Sequence, residues 1–364
     1  MLDFTLDQEQ EMLSKTISRF AAERVRKFFR DADEEAKLPP ELVQSGWELG
    51  LLLTSLPEAY GGFGEYSAVT GAVAVEAFAW GDLATALAIL APNLVALPVM
   101  LAGTPEQQAA YLPLFADEAQ VPAVTAALSE PRVRYDPHHL TTTAELEGDS
   151  YVLNGLKGMV PLAEEAELFL VYAAEGGRTQ AFLVPAGTEG LVVQAREKLM
   201  GVRALPTYRV KLENVRIPAG NKLGGADGID FNLILNHSRV ALGAAAVGLA
   251  RAGYEYAVDY AKNREQFGEP IAHRQSIAFM LANMAIDVDA ARLLVWEAAW
   301  LLDKGQDATH EVAVMKYFID SMVVNVADRA VQALGGYGYI REYPVELWLR
   351  NARGFATFDG LAII

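Results

Sequence analysis

The chain contains no cysteine. That excludes disulfides, thiolate nucleophiles, cysteine zinc sites and cysteine-ligated iron–sulfur clusters. Positive charge is scarce: 30 Lys and Arg face 47 Asp and Glu, for a formal net charge of −17. So acidic a chain lacks the basic surface that a nucleic-acid binder or a protein recruited to anionic membrane needs. A phosphate-bearing small ligand, which needs only a few local donors, stays admissible. Histidine is sparse too, and His138, His139, His237, His273 and His310 show no metal-ligand spacing, so no metal is expected. The His138-His139 pair reads as an exposed loop. There is no Walker loop and no Gly-x-Ser-x-Gly elbow. The first residues, Met1 to Thr5, lack the basic and apolar regions of a signal peptide. One charge-free run, Leu83 to Pro105, is long enough for a bilayer, but Pro92, Asn93 and Pro98 break it. It reads as buried helical core, and a cytoplasmic protein without a membrane segment is expected.

What is present is a globular composition, 52% hydrophobic and 21% charged over 364 residues, enough for two to three domains. Residues 1–120 read as all-helical. Thr5 and Gln8 fit a capping box ahead of Met12, Leu13, Ile17 and Phe20 at helical spacing. A second helix is expected from Pro40 to about Leu52. A turn follows at Pro57-Glu58-Ala59-Tyr60-Gly61-Gly62, helical patterns run from Ala68 to Leu101, and Thr104-Pro105 starts another helix. Residues 121–228 change character. Runs at Thr141–Leu146, Tyr151–Asn154, Leu168–Tyr172, Ala181–Val184 and Tyr208–Leu212, separated by Gly and Pro turns, predict an antiparallel barrel or sandwich. Residues 229–364 are helical again, with Gly243, Ala244, Ala245, Ala246 and Gly248 giving one long helix a small-residue face. The class is α+β, mostly α.

Three stretches can carry chemistry. Gly335-Gly336-Tyr337-Gly338 follows a helix and lacks the Rossmann spacing; it is either a C-cap or a backbone surface open to a phosphate. Arg264-Glu265-Gln266-Phe267-Gly268 joins a phosphate-pairing guanidinium to a ring-packing phenyl, or is a helix end with a surface ion pair. Asp359, between Phe358 and Gly360, is either a turn aspartate capping the last helix or a desolvated carboxylate base in apolar company.

Together these stretches resemble the acyl-CoA dehydrogenase family over essentially the whole chain. The motifs are Pro57 to Gly62, Arg264 to Gly268 with Gln275 to Ala282, and Gln332 to Gly338 with Glu342 to Glu346, in the family's order. The resemblance implies an N-terminal helical domain, a middle β domain and a C-terminal four-helix bundle. It also implies FAD, an acyl-CoA substrate, electron transfer flavoprotein as acceptor, and a homo-oligomer (dimer or tetramer) with FAD at subunit interfaces. In that chemistry a carboxylate takes the α-proton of the thioester while the β-hydrogen leaves as hydride to flavin N5. Asp359 falls at the base position. Ser129, Met159, Arg264, Phe267, Gln332, Gly335 and Gly336 fall at cofactor positions, the last five toward a neighbouring subunit's FAD. Arg239, Tyr135 and Gly360 fall at substrate positions.

The sequence departs from the family at several of these places. Its Gly-x-Gly-Ser-Asp loop reads Arg132-Val133-Arg134-Tyr135-Asp136, its Trp-Ile-Thr reads Met159-Val160-Pro161, and its Tyr-Glu-Gly-Thr reads Phe358-Asp359-Gly360-Leu361. The base is one methylene shorter, and Ser238, beside Arg239, offers no second carboxylate. With the chain ending at Ile364, the family's final helix is not expected. Three readings follow: an α,β-desaturase of an acyl-CoA, a degenerate subunit without a complete flavin site that partners a related chain, and a flavin oxidase like nitroalkane oxidase. Acyl-pocket depth is expected to depend on packing around Val73, Leu94, Leu97 and Tyr254.

Overall fold

The structure is a computed structural model that describes residues 5–364; the reading of the first residues as no leader falls largely outside that range. Helix α1 (Gln8–Phe20) starts two residues later than the sequence suggests. Its N-cap is Asp7, and Asp7 and Gln10 form the capping box that Thr5 and Gln8 were expected to make. A π-helical turn, Ala21–Val25, leads into α2 (Arg26–Glu35). The expected second helix is two, α3 (Pro40–Trp47) and α4 (Leu51–Ser55). Gly50, at φ +70, breaks it in the left-handed region that glycine tolerates.

Next come α5 (Ala68–Gly81), α6 (Leu83–Ile89), α7 (Asn93–Ala102) and α8 (Pro105–Tyr111). α8 starts at Pro105, as expected, and Thr104 caps it in a capping box with Gln107. The charge-free run becomes α6 and α7, bent by 48° at their break and buried almost throughout.

The middle segment is a single sheet of seven strands: β1 (Val124–Ala127), β2 (Thr143–Glu147), β3 (Ser150–Pro161), β4 (Leu168–Glu175), β5 (Arg178–Pro185), β6 (Leu191–Arg196) and β7 (Thr207–Pro218). The order is β1-β4-β2-β3-β7-β6, with β5 on the other side of β4. Pairing is mostly antiparallel, but β1 and β2 each run parallel to β4. The sequence reading did not include β1 or β6. β1 is wholly buried, and a four-residue apolar run has no period to read.

The last segment holds α9 (Phe231–Asn263), α10 (Gln275–Asp303), α11 (Thr309–Leu334) and α12 (Val345–Ala352). Between α9 and α10 lies a minimal hairpin, β8 (Glu265–Gln266) and β9 (Glu269–Pro270). The small-residue face of α9 does what its composition suggests. A Cβ at Gly243 would meet Met315 at 2.9 Å and Val295 at 3.0 Å, and one at Gly248 would meet the Glu76 carbonyl at 2.2 Å. Helices α5, α10 and α11 therefore close on α9 at distances a larger residue forbids. Among the described residues α9 is the one helix long and apolar enough by itself to cross a bilayer, and 89% of its apolar window is buried in the protein.

Candidate active site

Asp359 follows α12 and a short 3-10 turn, Phe355–Thr357. It is 7% exposed, with Phe358 and Leu361 buried on either side. It is not in apolar company, as its sequence neighbours suggested, nor does it cap a helix. Arg239, in the third turn of α9, pairs with it through Nη2–Oδ2 at 2.9 Å and Nε–Oδ1 at 3.4 Å. Lys316 of α11 places its Nζ 4.0 Å from Oδ1. Burying a carboxylate needs such partners.

The loop after β1 closes over this residue. Ser129 Oγ donates to the Asp359 carbonyl at 2.8 Å. Gly360 takes φ +90, and a Cβ there would lie 2.8 Å from Leu128 Cβ, so glycine is needed for both conformation and closeness. The Gly158 N–H donates to the Ser129 carbonyl at 2.9 Å, which brings the start of the Met159-Val160-Pro161 segment to the same place. Met159 sits at a bulge of β3, at φ +53, half-buried, with its N–H donated to Glu197 Oε2 at 2.9 Å.

Beneath the loop lies a pair that sequence reasoning missed. Lys157 is fully buried; its Nζ donates to the Leu128 carbonyl at 2.9 Å and lies 3.4 Å from Glu130 Oε1. Glu130 also accepts from the Thr141 and Thr142 N–H groups. Burial works against its charge, but Lys157 and the Thr141 and Thr142 donors prevail and hold Glu130 down to about 2. A lysine in a strand carries no signal of this role.

Arg132 to Asp136 fill the loop where the family has small residues. Arg134 is at φ +58, and Arg132 pairs with Glu130 at 3.0 Å. The Tyr135 hydroxyl is buried without a hydrogen-bond partner. Burial and then the Asp359 charge push this phenol well above its ordinary range. Asp136 accepts from the His138 N–H at 2.9 Å and lies 2.6 Å from His139 Nδ1. Among the described residues no cluster of three or more His, Asp or Glu is placed to hold a metal.

Residues 362–364 are clasped by side chains. Ser238 Oγ donates to the Ala362 carbonyl at 2.7 Å. His237 Nδ1 lies 2.7 Å from the Ile364 carbonyl, which also receives the Tyr66 hydroxyl at 3.3 Å. A carbonyl only accepts, so Nδ1 carries the hydrogen. Burial pushes His237 down to about 4 and keeps it neutral.

A small, partly open cavity of about 20 Å³ lies between the sheet and α9, lined by Leu94, Leu128, Tyr172, Phe231 and Leu235, with Ser238 and Gly360 also in its wall. Of the four residues expected to set pocket depth, Leu94 lines it; Val73, Leu97 and Tyr254 do not. Phe231 and its neighbours also line an open cleft of about 380 Å³ with His138, Arg178 and Asn232.

The remaining predicted residues gather elsewhere. Arg264, Gln332, Gly335 and Gly336 line one open cleft of about 440 Å³. Gly335 is the C-cap of α11 at φ +60, and a Cβ at Gly335 or Gly336 would meet nothing within 4 Å. Gly335 is thus a C-cap, and its backbone and that of Gly336 face open space. The next stretch is a hairpin with Phe267 and Gly268 at its tip, at φ +56 and +85. Phe267 is 93% exposed, a ring held outward in a conformation that costs a non-glycine residue. Open glycine backbone with a guanidinium and an amide fits the adenosine-diphosphate half of a dinucleotide. Arg264, the C-cap of α9, stands 25 positions from Arg239, about 37 Å away at about 1.5 Å per residue. The cleft and the carboxylate therefore lie far apart in this chain.

Three family profiles match the chain: the acyl-CoA dehydrogenase N-terminal domain over residues 7–119, the middle domain over 125–215 and the C-terminal domain over 230–362. A probable acyl-CoA dehydrogenase of Bacillus subtilis (strain 168) is 35% identical over 100% of this chain and 97% of that protein. The butyryl-CoA dehydrogenase structure from Megasphaera elsdenii superposes with a TM-score of 0.89 at 30% identity, covering 99% of this chain and 96% of that one. A glutaryl-CoA dehydrogenase from Mycobacterium smegmatis, in complex with FADH2, does so with 0.87 at 27% identity, over 98% and 92%. With the helical, β and helical segments in this order, the chain belongs to the acyl-CoA dehydrogenase family of flavoprotein oxidoreductases, whose cofactor is FAD.

Proposed function

We propose that the protein desaturates a short acyl-CoA between Cα and Cβ, with Asp359 as the base. The observation that carries this reading is the buried Asp359 carboxylate, held by Arg239 and followed directly by Gly360, which lines a small apolar cavity whose Phe231 also borders an open cleft. A thioester enters from that cleft, where the Arg178 guanidinium can meet a phosphate. Its acyl end lies against Leu94 and Tyr172. The likeness to a butyryl-CoA enzyme supports a short chain.

Asp359 takes the α-proton. FAD, when bound, supplies the acceptor for the β-hydride. Ser129 and Met159 hold the ring end. Arg264, Phe267, Gln332, Gly335 and Gly336 hold the adenosine-diphosphate end of a second subunit's FAD. The distance along α9 supports that division. So does an exposed stripe on α10, Phe279, Ile286 and Leu293 at seven-residue spacing, the pattern of a helix awaiting another. Electron transfer flavoprotein is the acceptor that the family implies.

The test is an anaerobic titration of the purified protein with butyryl-CoA. Stoichiometric FAD that bleaches, and an Asp359→Asn variant that keeps FAD but loses bleaching by at least 10²-fold, roughly the price of a misplaced base, are expected. An Asp359→Asn variant that bleaches at the parental rate overturns the assignment. A colourless homomer that gains flavin only with a second chain indicates the incomplete-subunit reading. Oxygen uptake with nitroalkanes and none with acyl-CoA indicates the oxidase.

A further inference from the structure

Four charged groups from two helices and the tail form a chain: Arg239, Asp359, Lys316 and Asp320. Arg239 holds Oδ2 of Asp359 at 2.9 Å, while Oδ1 has only longer approaches, 3.4 Å from Arg239 and 4.0 Å from Lys316. Lys316 does not close that last gap because its ammonium is drawn one turn along α11, to Asp320 at 2.9 and 3.0 Å. The Lys316 side chain is 19% exposed and that of Asp320 29%, so water screens this exchange only in part. The other titratable group facing Asp359 is the Tyr135 phenol, on the loop after β1.

We propose that Lys316 and Asp320 are positioning residues: Asp320 holds Lys316 back from Asp359, which leaves Oδ1 open as the atom that accepts the α-proton. This rests on the reading of Asp359 as the base. In the step itself the Cα–H bond breaks and its proton goes to Oδ1. Its electron pair would become the second Cα–Cβ bond as the β-hydrogen departs as hydride, for which FAD, when bound, would supply the acceptor. A short Lys316–Oδ1 bond would occupy the accepting lone pair; removing Lys316 altogether would take away a cation that favours the ionised carboxylate. The two residues therefore act with opposite sign on the pH at which the base works.

The experiment is the pH dependence of flavin reduction by butyryl-CoA in stopped flow, on the FAD-loaded protein and its Lys316→Met, Asp320→Asn and Lys316→Arg variants. Lys316→Met moves the acid limb upward by about one pH unit. Asp320→Asn, in which Lys316 falls onto Oδ1, moves it downward and lowers the plateau rate about tenfold. Lys316→Arg, which keeps the charge and the Asp320 partner, restores the parental limb. Limbs that superimpose, or that move the same way in Lys316→Met and Asp320→Asn, overturn the proposal. Should Lys316→Met not fold, Asp320→Asn decides alone, since it is nearly isosteric and must shift the limb downward. An active Asp359→Asn protein would instead remove the base assignment underneath; an inert one beside unshifted limbs removes only the role of Lys316 and Asp320.

Discussion

The Ser129 hydroxyl donates to the backbone carbonyl of Asp359 at 2.8 Å, across 230 positions of sequence. This bond joins the loop after β1 to the tail at the residue whose carboxylate is the proposed base. Ser129→Ala loses it and costs about 1 kcal/mol of stability, so the protein folds. Its flavin reduction slows on the order of 10-fold to 10²-fold, because a base displaced by about 1 Å loses that much. Ser129→Thr, which keeps the hydroxyl, recovers most of the rate. Equal rates for Ser129→Ala and the parent in stopped flow would mean that the bond does not place the base.

Tyr135 supplies a prediction with two opposite readouts. Its hydroxyl is buried and unpartnered, and such a group costs about 1–3 kcal/mol. Tyr135→Phe keeps the ring in its apolar surroundings and removes that cost, so urea unfolding shifts toward greater stability by about 1 kcal/mol. If the hydroxyl serves a bound thioester, KM for butyryl-CoA rises in the same variant. A variant that is less stable, with KM unchanged, contradicts both parts.

His237 makes stability depend on pH. Burial lowers it from 6.5 to about 4, so between those values the unfolded chain binds a proton that the folded one refuses. The stabilisation is complete above pH 6.5 and is lost as pH falls toward 4, about 3 kcal/mol in all. Chemical denaturation of the parent and His237→Gln at pH 7.5 and 4.5 isolates this share, because other carboxylates contribute equally to both. The parent should lose more than the variant; parallel losses would place the acid sensitivity elsewhere.

Domain order was legible because periodicity changes twice along the chain, and Thr104, Gly335 and the small face of α9 announce their helix ends and contacts locally. β1 escaped because its residues are buried on both faces, and the start of α1 because two capping boxes overlap in Thr5-Leu6-Asp7-Gln8-Glu9-Gln10. At the site, Asp359, Ser129, Tyr135 and Gly360 were visible through motif position, and the structure gathers them. What surrounds them was not. Lys316 is one lysine on an amphipathic helix, Lys157 one in a strand, and His237 and Tyr66 meet across 171 positions. Their roles exist only after packing, which no local pattern records.

Helix α9 carries Arg239 near one end and reaches Arg264 at the other, and its middle is seated through Gly243 and Gly248. A shift at that seat would therefore tilt the helix as one rigid rod. A tilt of about 3° about that seat moves the Arg264 end by about 1.5 Å and the Arg239 end by about 0.5 Å, at about 1.5 Å of rise per residue. One added methyl at Gly248 would then disturb both the proposed base at one end and the proposed nucleotide cleft at the other.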